Sequence, residues 1–161
     1  MPNWCRNRVT VSGTEEDISK LSEIFSDTKS IFNHIIQSPD WKRLPNEKGE
    51  FPQLERMKNP KGEVMWETYN FPDGKNDDRL YHWNIQNWGT KWDITAEQIE
   101  MDSYDSEQLE IELEDSEMLE VSFDTAWSPP EPICKRLREM FPESSFSWFY
   151  DEPGMEFAGY L

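Results

Sequence analysis

The feature that most constrains this chain is its hydrophobic period, which switches between two and 3.6 in a definite order. "NWCRNRVTVSG" (3–13) alternates and stops at Gly13, which predicts a strand. Cys5, Asn7, Val9 and Val11 would share one face, with Arg6, Arg8 and Thr10 on the other. "TEEDISKLSEIFSD" (14–27) then places Ile18, Leu21 and Phe25 at helical spacing. Thr14, with Asp17 three residues on, is a variant of the capping box that opens such a helix. "LEIELE" (109–114) alternates strictly, Leu109, Ile111 and Leu113 against Glu110, Glu112 and Glu114. "MLEVSFDTAW" (118–127) repeats the alternation with Leu119, Val121 and Phe123 inward, and "DSE" (115–117) joins the two runs as a predicted hairpin. "SPPEPICKRLREMFPE" (128–143) predicts a helix started by prolines and stopped by Pro142, with Ile133, Leu137, Met140 and Phe141 on one stripe. The chain closes with predicted strands near 145–151 and 155–160 around "EPG".

Strand, helix, hairpin, helix, strand is the βαββαβ order of a ferredoxin-like sandwich, an α+β fold with an antiparallel-rich sheet. Both helices would cover one sheet face and leave the other open. "SIFNHIIQ" (30–37) is short enough to be a strand or a brief helix. Residues 38–76, with "SPDWKRLPNEKGEFP" and "NFPDGKNDD", are rich in turn-forming residues, and a helix near 77–88 would end at Gly89. The expected organisation is a single domain over 1–161 with a long insertion after the first helix, at about 38–104. Trp41, Phe51, Trp66 and Phe71 of this insertion are expected to anchor it over part of the open sheet face.

Charge narrows the partners. Thirty-three Asp and Glu against 16 Lys and Arg give a formal net charge of −17, and residues 97–120 hold eleven acids and no base. Such an excess opposes electrostatic binding to nucleic acid or to an anionic membrane, so a partner recognised through charge is basic. Eight Trp and nine Phe provide an aromatic-rich core and argue against disorder. Cys5 and Cys134 form no CxxC pair, and no apolar run reaches membrane length. A cytoplasmic protein with two reduced thiols is expected.

Four segments in this order, "MPNWCRNRVTVSG", "NWGTKWD", "FDTAWSPP" and "YDEPGMEFAG", resemble the YubB-type family. The resemblance implies a ferredoxin-like domain and a setting in phages, plasmids and their bacterial hosts. It implies no established activity and no catalytic residues. It also leads one to expect many relatives to continue beyond the counterpart of "FAGYL".

No catalytic arrangement emerges from the residues. His34 and His82 are the only histidines, and there is no nucleophile elbow, HExxH or Gly-rich phosphate loop. "DSYDSEQLE" (102–110) lacks the glycine and ligand pattern of a calcium loop, so neither metal nor cofactor is expected. Two functional readings remain. The first is a non-enzymatic acidic protein of a mobile element that binds and inhibits a basic host protein, in its sharpest form by mimicking DNA charge. Its partner-binding residues would be Glu110, Glu112, Glu114, Glu120 and Asp124 on the open face, with Arg6 and Arg8 neutralising the inner acids. The second is a small-ligand or nucleotide-binding domain, with or without hydrolysis, whose pocket would draw on Asn87, Thr90, Lys91, Trp92, Thr125 and Trp127. Asp93 would add a hydrogen bond at its rim. Trp83, Trp88 and Trp92 of "HWNIQNWGTKWD" (82–93) are expected to be mainly structural, buried against the sheet and its helices.

Overall fold

A computed structural model describes residues 2–105, 107–108 and 116–161. The chain forms two compact units, Met1–Gln37 with Asn84–Leu161, and Ser38–Trp83.

The first unit is a five-stranded antiparallel sheet with helices packed on it. In chain order it contains β1 (Trp4–Thr14), α1 (Glu15–Phe25) and α2 (Phe32–Ile35). After the second unit, which contains β2 (Gln53–Lys58) and β3 (Val64–Asn70), comes α3 (Arg79–Asn87), within which the division between units falls. Then follow β4 (Ile99–Tyr104), β5 (Ser116–Ala126), α4 (Glu131–Met140), β6 (Ser145–Glu152) and β7 (Phe157–Tyr160). The sheet order β4-β5-β1-β6-β7 is the ferredoxin-like arrangement with one extra edge strand. β1 is central, paired along its length with β5 and β6.

The alternation of β1 does what the sequence predicts. Cys5, Asn7, Val9 and Val11 are buried under the helices, whereas Arg6 and Arg8 are exposed on the other face. Thr14 caps α1 by accepting a hydrogen bond from the Asp17 N–H at 3.2 Å, and Ile18, Leu21 and Phe25 are buried. α4 starts after Pro130, with Ile133, Cys134 and Leu137 buried. At the centre Phe123 has the rings of Phe25, Phe32 and Trp148 within 6.4 Å. The polar side chains of this interior satisfy one another: Trp148 Nε1 donates to Asn7 Oδ1 at 3.1 Å, and Asn7 Nδ2 donates to Thr125 Oγ1 at 2.9 Å.

The neighbour of β5 differs from the expectation. The hairpin arm predicted at 109–114 lies outside the described residues, and the strand that pairs with β5 is Ile99–Tyr104, inside the range expected as insertion. The alternation of this edge strand is weak, because polar Ser103 stands opposite Leu119 and its inward residues are at most half-buried. Of the aromatics expected to anchor the insertion, Phe51 and Trp66 are exposed, while the Trp41 and Phe71 rings flank Arg79 within the second unit.

The second unit is built differently. β2 and β3 form a two-stranded ribbon with Leu54, Met57, Val64, Met65 and Trp66 all exposed, and Pro52 is the one buried residue of 38–83. Three similar turns shape it. In 46–50 and 59–63 an Asn carbonyl oxygen accepts from two backbone N–H groups at 2.9 Å, and in 71–75 Asp73 accepts from the Lys75 N–H at 3.0 Å. Gly49, Gly62 and Gly74 take the left-handed residue that each turn requires. Arg79 ties the unit together. Its guanidinium lies 5.1 Å from the Trp41 and Phe71 ring centroids, pairs with both Asp77 oxygens at 2.9 Å, and donates to the carbonyls of Trp41, Leu44 and Pro45. That bidentate pair holds the Asp77 carboxyl below its ordinary value.

Candidate functional site

Two segments separated in sequence meet at one end of the five-stranded sheet. "NWGTKW" (87–92) reaches "DTAWSPP" (124–130) by an approach that only glycine permits. Gly89 has φ +81°, and a Cβ there would meet Pro132 Cδ at 2.9 Å and Pro129 O at 3.1 Å. Ser128 Oγ donates to Gly89 O at 2.5 Å, and Thr90 Oγ1 donates to Ala126 O at 3.0 Å. Lys91 Nζ then lies 5.1 Å from the Trp127 ring centroid and 6.0 Å from that of Trp92. Trp92 packs on Trp4, their centroids 6.2 Å apart. Trp4, Trp92 and Trp127 are 45%, 51% and 37% exposed, a concentration of large aromatic surface in water. Trp127 also carries backbone strain, with φ +72° in a region that bulky residues avoid.

The residues expected to line a pocket therefore divide. Lys91, Trp92 and Trp127 are at the surface cluster, and Asn87 is half-buried at the end of α3. Thr90 and Thr125 are buried, and their hydroxyls are engaged inside: Thr125 Oγ1 donates to Ser128 O at 2.7 Å and accepts from Asn7. They hold the two segments together rather than face solvent. Asp93 is likewise structural, accepting from the N–H groups of Phe32, Asn33 and Ile94 at 2.6, 2.9 and 2.8 Å. Burial pushes its carboxyl pKa upward against the pull of these donors. Among the tryptophans, Trp88 is the structural plug, 3% exposed, with Nε1 donating to Ile36 O at 2.8 Å. Trp83 is half-buried, and Trp92 corrects the expectation by being exposed, because its segment has already turned outward past Gly89.

The open sheet face carries the acids. Glu110, Glu112 and Glu114 lie outside the described residues. Glu120 and Asp124 are exposed on this face as predicted, and β4 adds exposed Glu100 and Asp102, with Asp102 directly opposite Glu120. Their field acts on Tyr104, whose phenol pKa is raised by Glu120 first and Asp102 next. Arg6 stands opposite Asp124 and Asp151 in the two ladders, and Arg8 forms a 3.6 Å ion pair with Asp151. Among the described residues, Glu100, Asp102, Glu120 and Asp124 have no ion-pair partner within 4.0 Å. Where the face meets the aromatic cluster, Trp4, Gln98 and Asp124 line a solvent-open groove of about 290 Å³. Alternation alone did not single out Trp4, Glu100 or Asp102, although all three follow the parity of their strands.

The remaining chemistry is sparse. Among the described residues no group of three His, Cys, Asp or Glu side chains is placed to hold a metal ion. His34 and His82 are exposed, beside Asp27 at 3.3 Å and Asp78 at 3.1 Å. Cys5 and Cys134 are free and buried, and desolvation pushes the Cys5 thiol up to about 11, far from the reactive range. No helix among the described residues is long and apolar enough to cross a membrane.

Residues 88–161 match a family model described as the ferredoxin-like domain in Api92-like protein, which agrees with the sheet topology. The match begins at Trp88 and includes Lys91, Trp92 and Trp127 of the aromatic cluster, while Asn87 and β1, the central strand that carries Trp4, lie before it. No curated protein and no solved structure matches the chain.

Proposed function

We propose that this is a non-enzymatic binding protein that captures a basic protein partner on its open sheet face. The observation that carries the reading is the group of exposed carboxylates on β4 and β5, Glu100, Asp102, Glu120 and Asp124, which have no ion-pair partner within 4.0 Å among the described residues and adjoin the exposed tryptophans of the sheet end. Carboxylates attract and orient a basic surface, and exposed Trp side chains are the residues that most often anchor an interface. The resemblance to the YubB-type family adds a mobile-element setting, in which the basic partner is a host protein that is inhibited when bound. Mimicry of DNA charge against a host defence protein is the sharpest version of this reading.

The test is capture from a bacterial lysate followed by titration with the purified partner. Affinity should fall steeply as salt rises, since association releases counterions. Neutralising Glu100, Asp102, Glu120 and Asp124 to their amides should weaken it at least tenfold, or about 1.4 kcal/mol. An affinity indifferent to both changes would reduce the acidic face to a solubility device. A second reading, a small-ligand or nucleotide site, is favoured by the convergence of "NWGTKW" and "DTAW" around Lys91. It requires saturable binding of a nucleotide that is lost in Lys91→Gln.

A further inference from the structure

We propose that the groove between Trp4 and Asp124 is a receptor for one arginine side chain of the partner. This rests on the binding reading above and names the chemistry that anchors it. Trp4 opens β1 on the open face, opposite the small Ala126, so no bulky side chain stands across the ladder from its ring. Asp124 is exposed on the same face two residues before Ala126, a diagonal neighbour of Trp4 at roughly 7–8 Å. Gln98 lines the third side and is held there by its side-chain oxygen, which accepts from the Thr95 N–H at 2.9 Å. The groove is small and open to solvent, at about 290 Å³, with three residues lining it, which gives room for one long side chain to lie across it.

A guanidinium satisfies this pair of groups at once. Its flat face stacks on an indole while its edge donates two parallel hydrogen bonds to a carboxylate. An ammonium is a compact point charge that cannot present a face to one group and a fork to the other. The chain builds the same motif internally at two places. Arg79 lies on the Trp41 and Phe71 rings and grips Asp77. On the open face itself, Arg8 lies 5.7 Å from the Phe149 ring centroid and 3.6 Å from Asp151. Trp4 and Asp124 repeat this ring-and-carboxylate pair on the other side of β1. Arg6, though opposite Asp124, forms no ion pair with it within 4.0 Å. Lys91 is placed against Trp92 and Trp127, and the groove is lined by Trp4 instead.

The experiment uses the full chain and two peptides of equal length and charge, one with arginine and one with lysine at every basic position. Affinities are read by calorimetry at low salt. The arginine peptide should bind at least fivefold tighter. Trp4→Leu should abolish that difference while leaving residual salt-dependent binding, and Trp4→Phe should retain most of it. Asp124→Asn should cost the arginine peptide more than the lysine peptide. Trp4 is exposed at a strand end, so an unchanged melting temperature will show that its variants fold. Equal affinities in the unaltered protein, or a preference that survives Trp4→Leu, would overturn the arginine receptor and leave the basic-partner reading standing. If neither peptide binds, both fall together.

Discussion

In the five-stranded unit Phe123 is enclosed by the rings of Phe25, Phe32 and Trp148, whereas in residues 38–83 the one buried residue is Pro52. Charge separates the two regions as sharply. Residues 38–83 hold eight Lys and Arg against nine Asp and Glu, while the rest of the chain holds eight against 24. The sheet unit tolerates its charge because burial of an aromatic core stabilises it independently of the surface. The smaller unit lacks such a core and is shaped by polar contacts: the ion pairs of Asp77 with Arg79 and Glu67 with Arg56, which need opposite charges close together, and the Asn and Asp side chains that accept from backbone N–H groups in its turns. A two-stranded ribbon has little stability of its own, so these contacts matter more there than they would on a sheet surface.

The comparison is broken most forcefully in the aromatic core. Trp148→Ala should cost about 3–5 kcal/mol, since it opens a cavity and also leaves Asn7 Oδ1 without its donor. Thermal melting of the sheet unit would measure it. If the loss is under about 1 kcal/mol, the core is not what carries that unit. Arg79→Ala should cost roughly 1–3 kcal/mol, by stranding the Asp77 carboxylate and three carbonyls, and the loss should be local. Hydrogen exchange should then show protection lost in 38–83 and kept in 1–37 and 84–161. A uniform loss would mean that the two regions share one stability.

Acid sharpens the same contrast. Arg79 lowers the pKa of Asp77, so the pair contributes fully above the ordinary carboxylate range, and the contribution is lost as pH falls through that lowered pKa. Exchange in 38–83 should therefore accelerate in acid before that of the sheet core, and the Arg79→Ala variant should lack the step. The smallest effect is expected at a turn. Asn59→Ala removes the acceptor for the Lys61 and Glu63 N–H groups in an exposed loop, at about 0.5–1.5 kcal/mol. Faster exchange confined to 59–63 would identify it.

Much of the sheet unit was legible because its signals are periodic and local. The parity of "CRNRVTV" decides which side chains face the helices, and that parity cannot slip without turning Val9 and Val11 into water. Thr14 and Asp17 announce the first helix for the same reason, since capping is settled within one turn. Parity also sends Glu120 and Asp124 to the face opposite Leu119 and Phe123. The acidic character of that face was therefore written into the strand before any fold was known.

Pairing and exposure were decided by the tertiary structure. Ile99–Tyr104 becomes the neighbour of β5 only in the assembled sheet, because strand choice depends on which chain segment can reach the edge and the weak alternation of this run does not announce it. Trp88 and Trp92 are the same residue type four positions apart, yet one is buried and the other exposed. The reason is the left-handed turn at Gly89, pressed against Pro129 and Pro132, which redirects the chain between them. Thr90 and Thr125, chemically suited to a pocket, face inward because the two segments they join meet at that point. Composition and period specify which residues must leave water. Which of the remaining ones stand together at a surface depends on contacts between segments remote in sequence, and those exist only once the chain has folded.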